Sequence, residues 1–274
     1  MYKKFLLLVS LLFIDHFFSY SSNSLAQERL SNAAQLNQQL SYTLEWDFAT
    51  RKQKGWVLYR ELIAKMVGSQ AGINSTSFAE AVMIWQLKNH LPATGVVDLP
   101  TWLRMAEIMQ QERLSNRTPA NKQDLIVAPV IEFYDLERPE EMRKVEKTTY
   151  QAYQRMVAAA LKDQSYQNSI KNSTGKETSS YFRIISAWRS KEYQEKLRSQ
   201  QKNQLSRIAL AKFSAHFTGR ALDIYVGGDP VSTQDSNRAK QVESPAYRWL
   251  VHNAPKYGFK PYFFEPWHWE YVEN

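Results

Sequence analysis

Two stretches near the carboxy terminus decide the fold expected for this chain: residues 214–226 read SAHFTGRALDIYV, and residues 265–272 read EPWHWEYV. In each stretch a turn-forming glycine or proline precedes a run of β-branched and aromatic residues, which favours a strand that follows directly on a turn. Residues 181–185 read as a further strand, and residues 190–199 and 245–254 read as helices. This mixed order predicts an α+β domain with helices around a small antiparallel sheet.

The same two stretches hold candidate metal ligands. A catalytic zinc ion takes three protein ligands and keeps one position open, and His216, Asp223 and His268 would supply such a set. Gly219 permits a tight turn between His216 and Asp223, and alternation along the second stretch places His268 on one strand face with Glu270. Either histidine alone favours a hydrogen-bonded structural role, so spacing leaves both a structural role and zinc binding open.

Two glutamates near His268 are candidates for a general base. Metal-assisted hydrolysis needs a group that takes a proton from water and passes it to the leaving amine. Glu265 stands three residues before His268 and is the favoured candidate, with Glu270 as the alternative. His252 falls on a predicted helix and is interpreted as a solvated residue, not as a fourth ligand.

Composition limits the chemistry further. The chain has 274 residues, no cysteine and a formal charge of +8, which excludes disulfides, thiol nucleophiles and cysteine-ligated metal centres. Its 43% hydrophobic residues suit one or two folded domains and not a disordered chain. The positive charge leaves nucleic acid, phospholipid and anionic envelope polymers open as partners. Aromatic residues cluster with the metal motif and not with basic stripes, which argues against nucleic acid.

The amino terminus has the pattern of a secretory signal, with Lys3 and Lys4, a short apolar run and small residues ending at Ala26. We predict that residues 1–26 are removed and that the mature protein is exported to the periplasm, cell wall or medium, without a membrane span. A retained anchor is the weaker alternative, because the apolar run is too short to cross a bilayer. Removal would leave a charge of about +7, since two basic residues and one acidic residue are lost.

The rest of the chain divides by pattern into three parts. Residues 50–112 predict a small three-helix bundle, with a capping box at Ser77 and a helix cap at Asp98. Residues 113–128 are polar and are predicted to be a linker, and residues 129–274 form the predicted catalytic domain. Within that domain a long helix is predicted from near Pro139, and residues 163–180 are predicted to be a loop.

Several motifs of the carboxy-terminal part occur together in a fixed order: SAWRS from Ser186 with Gln194 after it, SxHxxGxAxD from Ser214, YGF from Tyr257 and EPWHWxYV from Glu265. Over about ninety residues this part of the chain resembles the VanY-type D-alanyl-D-alanine carboxypeptidases, zinc peptidases of the LAS family.

The resemblance implies a Hedgehog/DD-peptidase-like fold, with zinc on His216, Asp223 and His268 and with Glu265 as general base. It further implies that Arg189 polarises the scissile carbonyl, and that Ser214 and Gln194 hold the terminal D-alanine and its carboxylate. The chain departs from the family at residues 210–213, where LAKF replaces the usual Pro-Gly. The segment between Phe259 and Glu265 is also short, so the choice between a terminal and an internal bond stays open.

The amino-terminal part carries its own motifs. Residues 78–86 read FAEAVMIWQ, residues 91–98 read LPATGVVD, and Thr101-Trp102 follow. This order resembles the three-helix peptidoglycan-binding domain of the PG_binding_1 type, and a purely structural helical bundle is the alternative.

Together these features predict an exported, monomeric zinc D,D-carboxypeptidase that acts on peptidoglycan stem peptides, with an amino-terminal module that binds the cell wall. The alternatives are a peptidoglycan endopeptidase or L,D-carboxypeptidase on the same scaffold, or a catalytically silent wall-binding protein.

Overall fold

The computed structural model describes residues 24–48, 51–171, 178–200 and 214–273. The chain divides into two compact units, Met1–Met105 and Ala106–Asn274. The predicted signal peptide, residues 1–26, lies outside the described residues except for its last three. No helix in the described part of the chain is long and apolar enough to cross a membrane.

The first unit consists of helices and one β-hairpin. Helix α1 covers residues 24–43, strands β1 (Glu45–Phe48) and β2 (Arg51–Lys54) pair antiparallel, and α2 (Arg60–Val67), α3 (Thr76–Lys88) and the start of α4 (Leu99–Gln111) follow. The three helices predicted over residues 50–112 are present, but α1 and the hairpin extend the unit toward the amino terminus.

Buried amide side chains hold the loop between α3 and α4. Gln86 accepts a hydrogen bond from Gly95 N at 2.8 Å and donates to Val96 O at 2.9 Å. Asn37 of α1 donates to Gly95 O at 2.8 Å and accepts from Val97 N at 2.7 Å. Because an unpaired buried amide is costly, these bonds fix the position of α1 against the loop.

The two helix caps predicted in this unit have different outcomes. Asp98 caps α4 as predicted, accepting from Thr101 N at 3.0 Å. The capping box at Ser77 is wrong, because α3 already begins at Thr76 and its cap is Ser75, which accepts from Phe78 N at 3.1 Å.

The second unit is an α+β domain, as predicted. Its main sheet has four antiparallel strands in the order β5-β6-β8-β7, formed by β5 (Ile184–Ser186), β6 (Ala221–Ile224), β7 (Phe259–Pro261) and β8 (His268–Tyr271). A separate two-stranded sheet pairs β3 (Leu125–Val127) with β4 (Lys144–Glu146). The strands predicted from residues 221 and 267 onward correspond to β6 and β8. The strand predicted over residues 181–185 overlaps β5 only at residues 184 and 185, because residues 181 and 182 form a turn, and pattern reading does not identify β7.

Five helices complete the described part of this unit: α5 (Lys147–Lys162), α6 (Gln164–Lys171), α7 (Lys191–Ser199), α8 (Asp235–Glu243) and α9 (Pro245–Asn253). The helix predicted from near Pro139 starts only at Lys147, because the chain first forms a 3₁₀ turn and β4. Glu146 then caps α5 by accepting from Thr148 N and Thr149 N. The loop predicted over residues 163–180 is wrong in its first part, where α6 buries Tyr166.

The predicted linker, residues 113–128, is part of the second unit. Its last residues form β3, and Ala120 N donates to Phe217 O at 2.8 Å. Leu114 N donates to the carboxylate of Glu270 on β8 at 2.8 Å. This segment is therefore packed on the rest of the second unit, and its polar composition does not indicate a free linker.

Candidate active site

Strand pairing and one turn bring the three predicted metal ligands together. Asp223 on β6 is paired in register with His268 on β8. His216 lies in a short 3₁₀ helix, Ala215–Thr218, which ends at Gly219 with φ +69° before β6 begins. His216 Nε2 is 3.3 Å and His268 Nδ1 is 2.9 Å from Asp223 Oδ1. One ligand atom of each residue therefore lies within 4.8 Å of the others.

The outer contacts of the two histidines fit a metal site. His216 Nδ1 is 2.6 Å from Ala187 O, which orients Nε2 toward Asp223. His268 Nε2 is 3.1 Å from Glu270 Oε1, which orients Nδ1 toward Asp223. Metal-binding histidines commonly use their second nitrogen in this way. The chemistry and spacing of this donor set therefore suit a zinc ion, which takes imidazole nitrogens and carboxylate oxygens as ligands.

Burial and mutual contacts shift the protonation of the cluster. Burial and the nearby Arg189 guanidinium lower the pKa of His216 to about 4. Burial alone would also lower the pKa of His268, but hydrogen bonds to Asp223 and Glu270 outweigh it and raise that pKa to about 9. Against the effect of burial, both imidazoles hold the pKa of Asp223 well below its usual range. Asp223 is thus ionised and His216 neutral at pH 7, whereas His268 is protonated in the metal-free protein and must release a proton when a metal binds.

Arg189 borders the cluster on the side of α7. Its Nη2 is 2.9 Å from Asp223 Oδ2, and its Nε donates to Ser186 Oγ at 3.1 Å. Its backbone N donates to His216 O at 3.2 Å. These contacts hold the guanidinium against the predicted metal ligands, where it can face a developing negative charge.

One cavity of about 540 Å³ unites all seven predicted site residues. Its walls include the three predicted metal ligands together with Arg189, Gln194, Ser214 and Glu265. Gln194 is buried on α7, and Ser214 caps the 3₁₀ helix by accepting from His216 N. His252 is exposed on α9 and does not line this cavity.

The two candidate bases differ in their surroundings. Glu265 is half-buried in the cavity wall, and burial, together with the charge of Asp223, raises the pKa of its carboxyl group. Glu270 is fully buried and does not line the cavity. Burial opposes the ionisation of Glu270, but the contacts with His268 and Arg113 outweigh it and lower its pKa to about 2. Glu265 is therefore the better placed base.

Pattern reading misses several residues of the cavity, notably Arg113, Arg117, Tyr193 and Tyr262. The guanidinium of Arg113 lies over the Tyr262 ring at 3.9 Å from its centroid. Tyr262 also meets the His268 ring edge-on, with centroids 5.9 Å apart. The two arginines belong to the segment that was predicted to be a linker, so their polarity alone gives no signal of a site.

An α+β domain with a buried His–Asp–His cluster, a carboxylate and a guanidinium in one cavity has the donor set that metal-dependent hydrolases use. Residues 142–274 match the model of the VanY family, described as D-alanyl-D-alanine carboxypeptidase. The resemblance inferred from the motifs is thus confirmed. The matched range does not reach residues 50–112, so wall binding by that part stays a prediction.

Among solved structures, the chain is similar to one of the LdcB LD-carboxypeptidase that concerns peptidoglycan recognition. The identity is 22%, the TM-score is 0.39, and the match covers 57% of this chain and 71% of that one. No curated protein matches the chain.

Proposed function

We propose that this protein is a zinc-dependent carboxypeptidase that removes the terminal D-alanine from peptidoglycan stem peptides. The observation that carries the proposal is the buried cluster of His216, Asp223 and His268, which shares one cavity with Glu265 and Arg189. The match of residues 142–274 to the VanY family supports the substrate class.

His216, Asp223 and His268 would hold the zinc ion. When bound, zinc would supply Lewis-acid chemistry, polarising the scissile carbonyl and making water more acidic. Glu265 takes the proton from the attacking water and returns it to the leaving D-alanine amine. Its raised pKa suits both steps, because a carboxyl group that gives its proton back must not be too strong an acid.

Arg189 would stabilise the negative charge that develops on the carbonyl oxygen. Its contacts with Ser186 and Asp223 fix the guanidinium before substrate arrives, so little reorganisation is needed in the transition state. Ser214 and Gln194 would hold the terminal residue and its carboxylate, since both line the same cavity and carry hydrogen-bonding side chains.

The test is a product analysis by mass spectrometry with zinc-loaded mature protein. A pentapeptide stem that loses one D-alanine supports the proposal. Loss of D-alanine only from a tetrapeptide indicates an L,D-carboxypeptidase, and cleavage within a cross-linked dimer indicates an endopeptidase. A protein that binds zinc but forms no product from any of these would refute catalysis and favour a silent wall-binding protein.

The role of Glu265 has its own test. Glu265→Gln keeps the size of the side chain but removes the proton acceptor, so we expect zinc to stay bound while turnover falls by about 10²-fold or more. Glu273→Gln makes the same change at an exposed position three residues after Glu270 and should leave turnover unchanged. Undiminished turnover in Glu265→Gln would contradict the assignment.

We also propose that the mature protein is exported and that residues 50–112 bind peptidoglycan. The motifs after α3 and the positive charge of the chain support this role, because holding the enzyme on its polymeric substrate raises the local concentration of stem peptides. Co-sedimentation with purified cell walls tests it, comparing the mature chain with one that also lacks residues 27–105. Equal sedimentation of the two chains would refute wall binding by this part.

A further inference from the structure

Glu270 is a fully buried carboxylate directly behind a predicted metal ligand. It lies two residues after His268 on β8, and the two side chains share one strand face. Glu270 Oε1 is 3.1 Å from His268 Nε2, so this nitrogen is engaged outside the cluster. His268 Nδ1, on the opposite side of the ring, is 2.9 Å from Asp223 Oδ1.

The other side of the Glu270 carboxylate is held by the segment 113–117. Leu114 N donates to Oε2 at 2.8 Å, and the Arg113 guanidinium bonds Oε1. Arg117 approaches the same oxygen at 4.0 Å. A buried carboxylate is costly unless it is paired and hydrogen-bonded, and these contacts meet that requirement.

Arg113 also connects this carboxylate to the ring of Tyr262. Its guanidinium lies over Tyr262, which in turn packs edge-on against His268. His268 is therefore constrained both at its outer nitrogen and at its ring edge. This arrangement goes beyond what a fold-stabilising ion pair needs, because it fixes the ring orientation of one particular histidine.

We propose that Glu270 is a positioning residue for His268, held in place by Arg113 and the backbone of Leu114. In the zinc-bound protein Glu270 would keep the one remaining ring proton on Nε2, which leaves the lone pair of Nδ1 for the metal. The inference rests on the proposed zinc function and deepens it. It gives the segment 113–117 a role in the site, and it gives Glu270, the alternative candidate for the general base, a role in positioning His268.

The isosteric variant Glu270→Gln tests this role. The glutamine amide can take two orientations, and each loses a contact. With its oxygen toward His268, its NH₂ group lies against the N–H of Leu114, so two donors face each other. With its NH₂ group toward His268, it donates to Nε2 and favours the wrong histidine tautomer. We expect zinc affinity, measured on metal-stripped full-length mature protein by competition with a chromophoric chelator, to weaken by about 10- to 100-fold. Glu273→Gln, an exposed glutamate on the same terminal segment, should bind zinc like the wild type.

The outcomes separate this inference from the function on which it rests. If the wild type binds no zinc, the proposed function fails and this role of Glu270 fails with it. If the wild type binds zinc and Glu270→Gln binds it equally well, only the positioning role is overturned. A merely structural Glu270 would lower the melting temperature of the metal-free protein and leave the zinc affinity of the folded protein unchanged.

A measurement on the wild type covers the case in which Glu270→Gln does not fold. Nitrogen-15 NMR of the zinc-loaded protein should show opposite tautomers in the two histidines. His268 should carry its proton on Nε2, and His216, which contacts Ala187 O, should carry its proton on Nδ1. Zinc on Nε2 of His268 would overturn the proposal.

Discussion

Replacing Gly219 by alanine should lower both stability and zinc affinity, because Gly219 forms the turn between the predicted ligands His216 and Asp223. Gly219 has φ +69°, which costs a non-glycine residue about 1 to 2 kcal/mol. A Cβ there would lie 2.9 Å from Glu146 N and 2.9 Å from Leu125 Cδ2, and such overpacking costs about 1 to 3 kcal/mol. The hydrogen bond from Glu146 N to Gly219 O, 3.1 Å long, would also weaken at a cost of about 1 kcal/mol. We therefore expect a total destabilisation of about 3 to 6 kcal/mol.

The assay for Gly219→Ala combines the free energy of unfolding in denaturant with zinc affinity. Because the shifted turn separates His216 from Asp223, we expect zinc affinity to fall about tenfold or more. Gly68→Ala is the control: Gly68 has φ +74° but no atom within 4 Å of the added Cβ, so it isolates the backbone cost and leaves zinc affinity unchanged. If Gly219→Ala is destabilised by less than about 1 kcal/mol and binds zinc normally, the turn does not position the ligands.

Three further predictions concern the second unit. Glu146→Ala removes the cap of α5, which accepts from two backbone amides, and should lower the free energy of unfolding by about 1 to 2 kcal/mol in denaturant titrations; an unchanged midpoint would contradict the capping role. Arg238→Met removes the buried donor to Phe264 O at 3.2 Å, next to Glu265, so kcat should fall more than zinc affinity; equal losses would refute a role in placing Glu265. The pKa of His268 is raised to about 9 in the metal-free protein, so protonated His268 stabilises the fold by on the order of 3 kcal/mol below pH 6.5, and this stabilisation is lost as the pH rises to 9. The free energy of unfolding, measured as a function of pH, should show this decline in the wild type and not in His268→Gln.

The parts of the fold and site that follow from the sequence are those with apolar alternation or a local turn. Polar and aromatic residues alternate along β8, so the shared face of His268 and Glu270 follows from a strand period of two. Gly219 marks the turn because few other residues adopt positive φ. All seven predicted site residues consequently line one cavity.

The helices that pattern reading does not identify bury polar or small side chains. The buried residues of α8 are Asn237, Arg238, Gln241 and Val242, so three of the four are polar and no apolar stripe marks the helix. The buried face of α1 likewise carries Ala33, Ala34, Asn37 and Ser41. Hydrophobic periodicity cannot detect such helices, because the residues on their buried faces are polar or small and form no apolar stripe.

The linker prediction for residues 113–128 is wrong for a similar reason, because polar side chains of this segment are paired inside the fold. A polar stretch with Pro119 is typical of a linker only if its charges stay in water. Arg113 instead pairs with Glu270, 157 residues away, and neither residue reveals the other in the sequence. A buried acid at position 270 nevertheless requires a cation or donors, since burying it alone would cost several kcal/mol. The informative signal in the sequence is therefore Glu270, two residues after His268 on a buried strand. Such a carboxylate needs a cationic or hydrogen-bonding partner, and a basic segment with the composition of a linker can supply one.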